Sequence, residues 1–322
     1  MHYLIVGTGS IGSRHVRNLA QLDKDATFTL LRTNLTDNQY VTELKKELPG
    51  KIEETTILSE ALEKKPDGAL ICNPTSMHLR SAIDIIPSCK NILIEKPLSH
   101  NLENTDMLVR LSQEYKANIL IAYNMHFSLL IQRLKDIISK KELGEVLFSR
   151  ALSGSYLPDW RPGQDYSKSY SAKKELGGGP ILDLSHEIDY MYWLFGKPEQ
   201  VQGVAAKVSN LKLSTEDIAE ILLTYPHAIA SIHLDFINKT PVRTFDAAFS
   251  KGHIHADIIK GELVITQDGK STTETFSTDR NDMFLKEAAH FIAIIKGTEE
   301  PRITLADGLT VLEICLQAGQ KE

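Results

Sequence analysis

A Gly-x-Gly-x-x-Gly run at Gly7, Gly9 and Gly12 constrains this chain more than any other feature. It follows the apolar run at residues 3–6 and precedes a helical pattern with Ile11, Val16, Leu19 and Ala20 on one side. Glycines permit a tight turn and a close approach of backbone to an anion. The start of the next helix supplies oriented N–H groups and a favourable dipole for that anion. Strand, glycine turn and helix in this order predict dinucleotide binding, with Gly7, Gly9, Ser10, Ile11 and Gly12 around the pyrophosphate.

Further apolar runs at 28–31, 68–72, 92–94 and 118–122, and a weaker one at 55–58, alternate with helical patterns. That alternation predicts a parallel, doubly wound sheet: an α/β Rossmann domain over residues 1–122. From residue 123 the pattern changes. After a helix near 128–140, strand-like segments at 146–153, 201–208, 218–225, 228–236, 243–249, 253–257 and 262–267 are separated by short turns. Two helical stretches, 282–296 and 305–317, close the chain. Residues 123–322 are therefore expected to form an α+β domain with a large, mostly antiparallel open sheet. The last helix could pack back on the first domain.

Composition narrows the function. The 322 residues carry a net charge of -6, with 42% hydrophobic and 24% charged residues. This balance gives no general affinity for nucleic acid or an anionic membrane. No apolar run approaches the roughly 20 residues of a spanning helix, and the first strand begins at once without a signal-peptide pattern. The scattered cysteines, Cys72, Cys89 and Cys315, lack metal spacing and read as reduced, buried thiols of a cytoplasmic protein.

Ligands of open parallel sheets bind outside the carboxyl ends of the strands. Glu95-Lys96-Pro97 follows the 92–94 strand, so Lys96 can reach a cofactor and a reacting substrate together. Asn73, Pro74 and His78 occupy the loop and first helical turn after the 68–72 strand; His78 reads as a structural hydrogen-bonder beside the cofactor path. Arg32 and Thr33 end the second strand, where cofactor choice is made. The arginine fork suits a 2′-phosphate, and the next carboxylate in sequence is Asp37. NADP(H) is therefore favoured, with NAD(H) as the alternative.

In the second domain, Gly177-Gly178-Gly179-Pro180 leads into a helix. Leu184, Ile188, Met191 and Phe195 are expected to form its buried stripe, and Asp183, His186, Glu187 and Tyr190 its polar one. Asp183 and His186 project from one side and can hold a sugar hydroxyl and fix an imidazole tautomer. The long segment 156–176 carries Tyr156, Trp160 and Arg161, suited to stacking and to anion binding, as a substrate lid or as a structural loop. His253, His255 and Asp257 share a strand face, but they have no partner motif, so no metal is assigned.

The glycine turn, the Asn73–His78 loop, Glu95-Lys96-Pro97 and the Asp183/His186 helix, in this order, resemble the Gfo/Idh/MocA family of glucose–fructose oxidoreductase and inositol dehydrogenase. The segments 156–166 and 182–190 are similar to a subgroup associated with bacterial surface-sugar pathways. The resemblance implies NAD(P)-dependent hydride transfer to or from a secondary alcohol or ketone of a sugar or nucleotide-sugar derivative. It implies that Lys96 and His186 line the reacting carbon with Asp183 nearby. Glu95 joins the cofactor residues, and Asn124, Tyr156, Trp160 and Arg161 join the substrate residues. It also implies a homodimer or homotetramer formed through the open sheet. Two departures accompany it: Asp183 and His186 are spaced by two residues rather than three, and His126 stands in Asn124-Met125-His126-Phe127 where many members have arginine. The alternatives are a redox-neutral enzyme with tightly bound NAD(P), of epimerase, eliminase or glycosidase type, and a non-catalytic NADP(H) sensor.

Overall fold

The computed structural model describes residues 1–320. The chain divides into two compact units, Met1–Asn124 with Asn281–Leu309, and Met125–Arg280 with the chain from Thr310 onward.

The first unit alternates β1 (His2–Val6), α1 (Ser10–Leu22), β2 (Thr27–Leu31), α2 (Gln39–Glu47), β3 (Ile52–Thr55), α3 (Leu58–Glu63), β4 (Gly68–Ile71), α4 (His78–Ile85), β5 (Asn91–Ile94), α5 (Thr105–Glu114) and β6 (Asn118–Ile121). All pairings are parallel, in the order β3-β2-β1-β4-β5-β6. This is the doubly wound order whose switch point lies between β1 and β4. The central strands are buried on both faces, which explains their near-continuous apolar runs: Leu4, Ile5, Ala69, Ile92 and Leu93 have no exposed surface.

The second unit contains α6 (Leu129–Ser139), β7 (Val146–Gly154), α7 (Pro180–Asp183), α8 (His186–Phe195) and strands β8 (Gln200–Ala206), β9 (Ile218–Thr224), β10 (Ile229–Asp235), β11 (Val242–Phe249), β12 (Gly252–Asp257), β13 (Glu262–Gln267) and β14 (Lys270–Thr275). The eight strands are ordered β14-β13-β12-β11-β7-β10-β9-β8, and only β7–β10 is parallel. Ala219, Ile221 and Leu223 of β9 and Ala230, Ile232 and Leu234 of β10 are buried on the covered face. The opposite face leaves Phe148, Val204, Leu222 and Ile229 exposed. This period-2 alternation is that of a sheet covered on one side.

Two helices follow, α9 (Arg280–Ile295) and α10 (Leu305–Ala318). Most of α9 belongs to the first unit. Its Ile295 and Phe291 lie over Gly68 of β4, where an added Cβ would come within 2.7 Å of Ile295 Cδ1.

Local readings shift in three places. The strand expected at 55–58 lies earlier, at Ile52–Thr55. Thr55 Oγ1 accepts from the Ile57 N–H (3.1 Å), turning the chain into α3. The sequence Lys270–Thr275 forms a strand without an apolar pattern, because backbone pairing to β13 suffices at a sheet edge, where polar residues also discourage further pairing. The helix expected from Pro180 breaks at Leu184–Ser185.

The polar stripe expected on that helix is also overturned, since α8 buries both its apolar and its charged residues. Ile188, Met191, Glu187, Asp189 and Tyr190 are all at most 1% exposed. The charges are paired rather than solvated. Glu187 accepts two bonds from Arg243 of β11, at 2.6 and 3.1 Å, and Asp189 pairs with His126 at 3.1 Å. Removing one partner of such a pair leaves an uncompensated buried charge. Arg243→Leu should lower the unfolding free energy in urea by about 3–5 kcal/mol, and Glu187→Leu/Arg243→Leu should recover most of that loss. Equal stability of the single variant and the wild type would contradict the pairing.

Candidate active site

In the first unit, the glycine turn packs against the chain leaving β4. A Cβ on Gly12 would lie 2.2 Å from the Gly7 carbonyl oxygen and 3.5 Å from Cys72 Cβ. Gly12 must therefore be glycine for the turn to close. Gly9 caps α1 without a side-chain hydrogen bond, and nothing lies within 4 Å of a Cβ added there. The first turn of α1 contains no acidic residue. Open space, uncapped N–H groups and a positive helix end together fit the pyrophosphate of a dinucleotide, with Gly9, Ser10, Ile11 and Gly12 as its backbone contacts.

The loop after β4 completes this edge. Asn73 Nδ2 donates to Ser81 Oγ at 2.8 Å, while its buried Oδ1 has no protein partner and can accept from a bound ligand. His78 is 1% exposed, with Nδ1 2.9 Å from Pro97 O and Nε2 2.9 Å from Asn73 O. It braces the two loops that follow β4 and β5, and burial pushes its pKa down. Both ring nitrogens face backbone carbonyls, which leaves neither for a cofactor. Pro74 starts the short turn between β4 and α4.

Glu95 turns inward. Its Oε1 lies 2.7 Å from Nε2 of the fully buried His15, and its Oε2 accepts from the Lys96 N–H at 3.2 Å. Glu95 thus ties the end of β5 to α1, and Lys96 follows it into a cis Lys96–Pro97 bond.

The corner at β2 differs from the sequence reading. The Arg32 side chain is only 8% exposed; its Nη1 is ion-paired with Glu54 of β3, and its Nη2 donates to Thr36 O at 2.5 Å. Lys45 pairs with the other Glu54 oxygen. A carboxylate does occupy this corner, and the arginine is already neutralised. Glu54 comes from the neighbouring strand through the Leu30↔Glu54 register, which no local sequence window reveals.

In the second unit, the segment between β7 and α7 folds as four short 3-10 turns. Trp160 Nε1 donates to Ser155 Oγ at 2.8 Å, and its ring meets Phe236 edge-on at 5.2 Å. Lys239 Nζ sits 3.0 Å above the Tyr156 ring. Trp160, Arg161, Tyr166, Lys168 and Tyr170 line a cavity of about 550 Å³.

That segment reaches the candidate catalytic carboxylate. Tyr170 donates its hydroxyl to Asp183 Oδ1 at 2.5 Å. Burial, then the Asp183 charge, pushes the phenol well above its ordinary pKa. A Cβ on Gly178 would lie 2.3 Å from Tyr170 O, so glycine there lets the segment seat on the start of α7. Asp183 ends α7, and His186, half-buried, begins α8. His126 stacks on Trp193 at 4.1 Å beside Asp189, which makes it part of the packing of α8. Asn124 is buried at the end of the first unit's main segment. His255 pairs with Asp246 and Asp257 with Lys260. No group of three metal-binding side chains occurs among the described residues.

Sequence reasoning missed His15, Glu54 and Tyr170. His15 alone left a signal, since it lies three residues after Gly12 on the side of α1 that packs inward.

The fold and the cradle at α1 define an NAD-binding oxidoreductase. Comparison with known proteins agrees: residues 1–123 match the oxidoreductase family with an NAD-binding Rossmann fold, and residues 131–255 match the GFO/IDH/MocA C-terminal domain. The chain belongs to the Gfo/Idh/MocA family. It is 25% identical to myo-inositol 2-dehydrogenase of Thermotoga maritima over 96% of this chain and 92% of the relative. The WlbA dehydrogenase of Bordetella pertussis, solved with NADH and UDP-GlcNAcA, shares the fold at TM-score 0.79 and 20% identity, covering 99% of this chain and 96% of that one. Levoglucosan dehydrogenase, solved with NADH and levoglucosan, does so at TM-score 0.84 and 17% identity, covering 99% and 97%. Among the described residues, no helix is long and apolar enough to cross a membrane.

The Gly12 contact yields a direct expectation. Gly12→Ala should weaken NADH binding by at least about tenfold in a fluorescence titration, the equivalent of roughly 1.4 kcal/mol. Unchanged affinity would show that the turn has room the geometry denies it.

Proposed function

We propose that this chain is a cytoplasmic dehydrogenase or reductase that acts on a secondary alcohol or ketone of a sugar or nucleotide-sugar derivative. The observation that carries the reading is the cradle at Gly9–Gly12, which precedes a sheet edge bearing Asn73 and Lys96. A bound nicotinamide dinucleotide supplies hydride acceptance or donation. Lys96 exchanges the proton of the reacting oxygen, and Asp183 and His186 hold substrate hydroxyls or share in that transfer. Tyr170 orients Asp183 by donating to Oδ1. The first unit serves as the cofactor domain, and the second, Met125–Arg280 with the chain from Thr310 onward, as the substrate and oligomerisation domain.

The cavity beside Trp160 supports a nucleotide-sugar. It combines aromatic faces with Arg161 and Lys168, groups suited to a base and a diphosphate. The NADH- and UDP-GlcNAcA-bound relative supports the same choice. The apolar positions on the open sheet, Phe148, Val204, Leu222 and Ile229, support a homodimer or homotetramer.

NAD(H) serves this site at least as well as NADP(H). A 2′-phosphate must compete with Glu54 for Arg32, and it meets a carboxylate there. Glu54→Gln removes that competitor and should shift the NADPH-to-NADH affinity ratio by about tenfold towards NADPH. An equal change for both cofactors would count against the role.

A panel of free sugars and nucleotide-sugars, followed by nicotinamide absorbance, tests the activity. On any active substrate, Lys96→Met should reduce turnover by about 100-fold or more while cofactor affinity stays within a few-fold. Near-wild-type turnover would remove Lys96 from the chemistry. Turnover without a net absorbance change would indicate redox-neutral use of the cofactor.

A further inference from the structure

Behind the glycine turn lies a cluster of ionisable groups that hydride transfer does not use. Glu287 of α9 is fully buried, and neither carboxyl oxygen has a protein hydrogen-bond partner. Phe284, one turn earlier on α9, meets the His15 ring edge-on at 6.3 Å. That face of α9 therefore turns toward α1. His15 is fully buried, with Nε2 on Glu95 and an Nδ1 that has no protein partner. Cys72 is buried beside the turn, its Cβ 3.5 Å from the position of a Gly12 Cβ. Glu287, the His15–Glu95 pair and Cys72 are all buried within the first unit, and Cys72 and His15 lie next to the glycine turn and on α1.

Burial, then the Glu95 charge, holds Glu287 well above the ordinary glutamic acid range. The same burial, then both acids, raises the Cys72 thiol. Arg14 of α1 stacks on Phe284 with its Cζ 4.6 Å from the ring centre, and His290 of α9 is paired with Glu299. His78 bridges two backbone carbonyls, and Lys96 continues from Glu95 into the following loop. Glu287 is left as the group with no partner to fix its charge.

We infer that Glu287, fully buried on the face of α9 that turns toward the His15–Glu95 pair, is a proton-holding site coupled to cofactor binding. Binding the dinucleotide places the negative pyrophosphate at the start of α1, one turn from His15. In a weakly screening interior that charge favours the protonated form of Glu287. A proton passes from bulk buffer to a Glu287 carboxyl oxygen, and no electrons move. The site keeps negative charge from accumulating beneath the pyrophosphate and holds the Glu95–Lys96 segment against α1. The inference rests on the proposed cradle and identifies a regulator of it: cofactor affinity falls as pH rises through the titration of Glu287.

The experiment is calorimetric titration of the full chain with NADH, in buffers of different ionisation enthalpy, from pH 6 to 9. The wild type should take up about 0.5 proton per NADH at the pH where Glu287 titrates. Glu287→Gln should bind NADH with little proton uptake, and Glu287→Asp should restore the uptake. Zero uptake by the wild type across the range, or equal uptake by wild type and Glu287→Gln, overturns the inference while leaving the cradle in place. Absence of NADH binding by the wild type contradicts the cradle itself and the inference with it. Thermal melting of the cofactor-free proteins gives an independent check. An acid whose folded pKa is raised costs stability progressively as pH rises above its unfolded value, up to its folded value. Glu287→Gln should therefore gain melting temperature over wild type as pH rises from 5 to 8. A difference that stays constant with pH shows that Glu287 holds no such proton and overturns the proposal.

Discussion

The contact between the β1–α1 turn and the chain leaving β4 is the constraint on which the rest of the first unit depends. A side chain on Gly7 would lie 2.7 Å from Asn73 N, and within the turn the Gly7 carbonyl lies 2.2 Å from where a Gly12 side chain would begin. Only a residue without a Cβ lets the N-terminus of α1 sit at the switch point of the sheet, where its unbonded N–H groups face outward. The loops after β4 and β5 are then fixed relative to that helix by small polar braces. His78 joins two carbonyls, and Glu95 reaches back to His15. Lys96 inherits its position from these braces.

Both units bury charge, and they do so in opposite ways. The second unit neutralises the buried Glu187 locally with Arg243. Such pairs are costly to break but hold one charge state. The first unit leaves Glu287 beside another acid and unpaired, so its energy depends on pH and on any charge brought near it. A structural core has no need of that sensitivity, whereas a site that binds an anion can use it. The contrast assigns rigidity to α8, which carries His186 at its start, and responsiveness to the region under α1.

The parallel sheet was legible because its buried strands read as apolar runs and the helices between them keep a helical period. The second sheet was legible from alternation, except β14, whose six polar residues are held by backbone pairing alone. Gly12, Asn73, Lys96 and Asp183 could be placed at strand and helix ends from their motifs. What stayed hidden is non-local. Glu54 meets Arg32 only through strand register, Tyr170 meets Asp183 only through the path of the 3-10 turns, and His126 meets Asp189 across 63 residues. Glu287 was readable in principle, as an acid on the apolar stripe Phe284, Ala288 and Phe291.

The account stands on one claim, that the first turn of α1 receives the anionic part of a dinucleotide. Amide hydrogen exchange with and without saturating NADH measures it at the residues concerned. The account predicts that NADH slows exchange most strongly at Ser10, Ile11 and Gly12, whose N–H groups have no intrahelical acceptor in the free protein. Unchanged exchange at those amides, with protection appearing elsewhere, would contradict it.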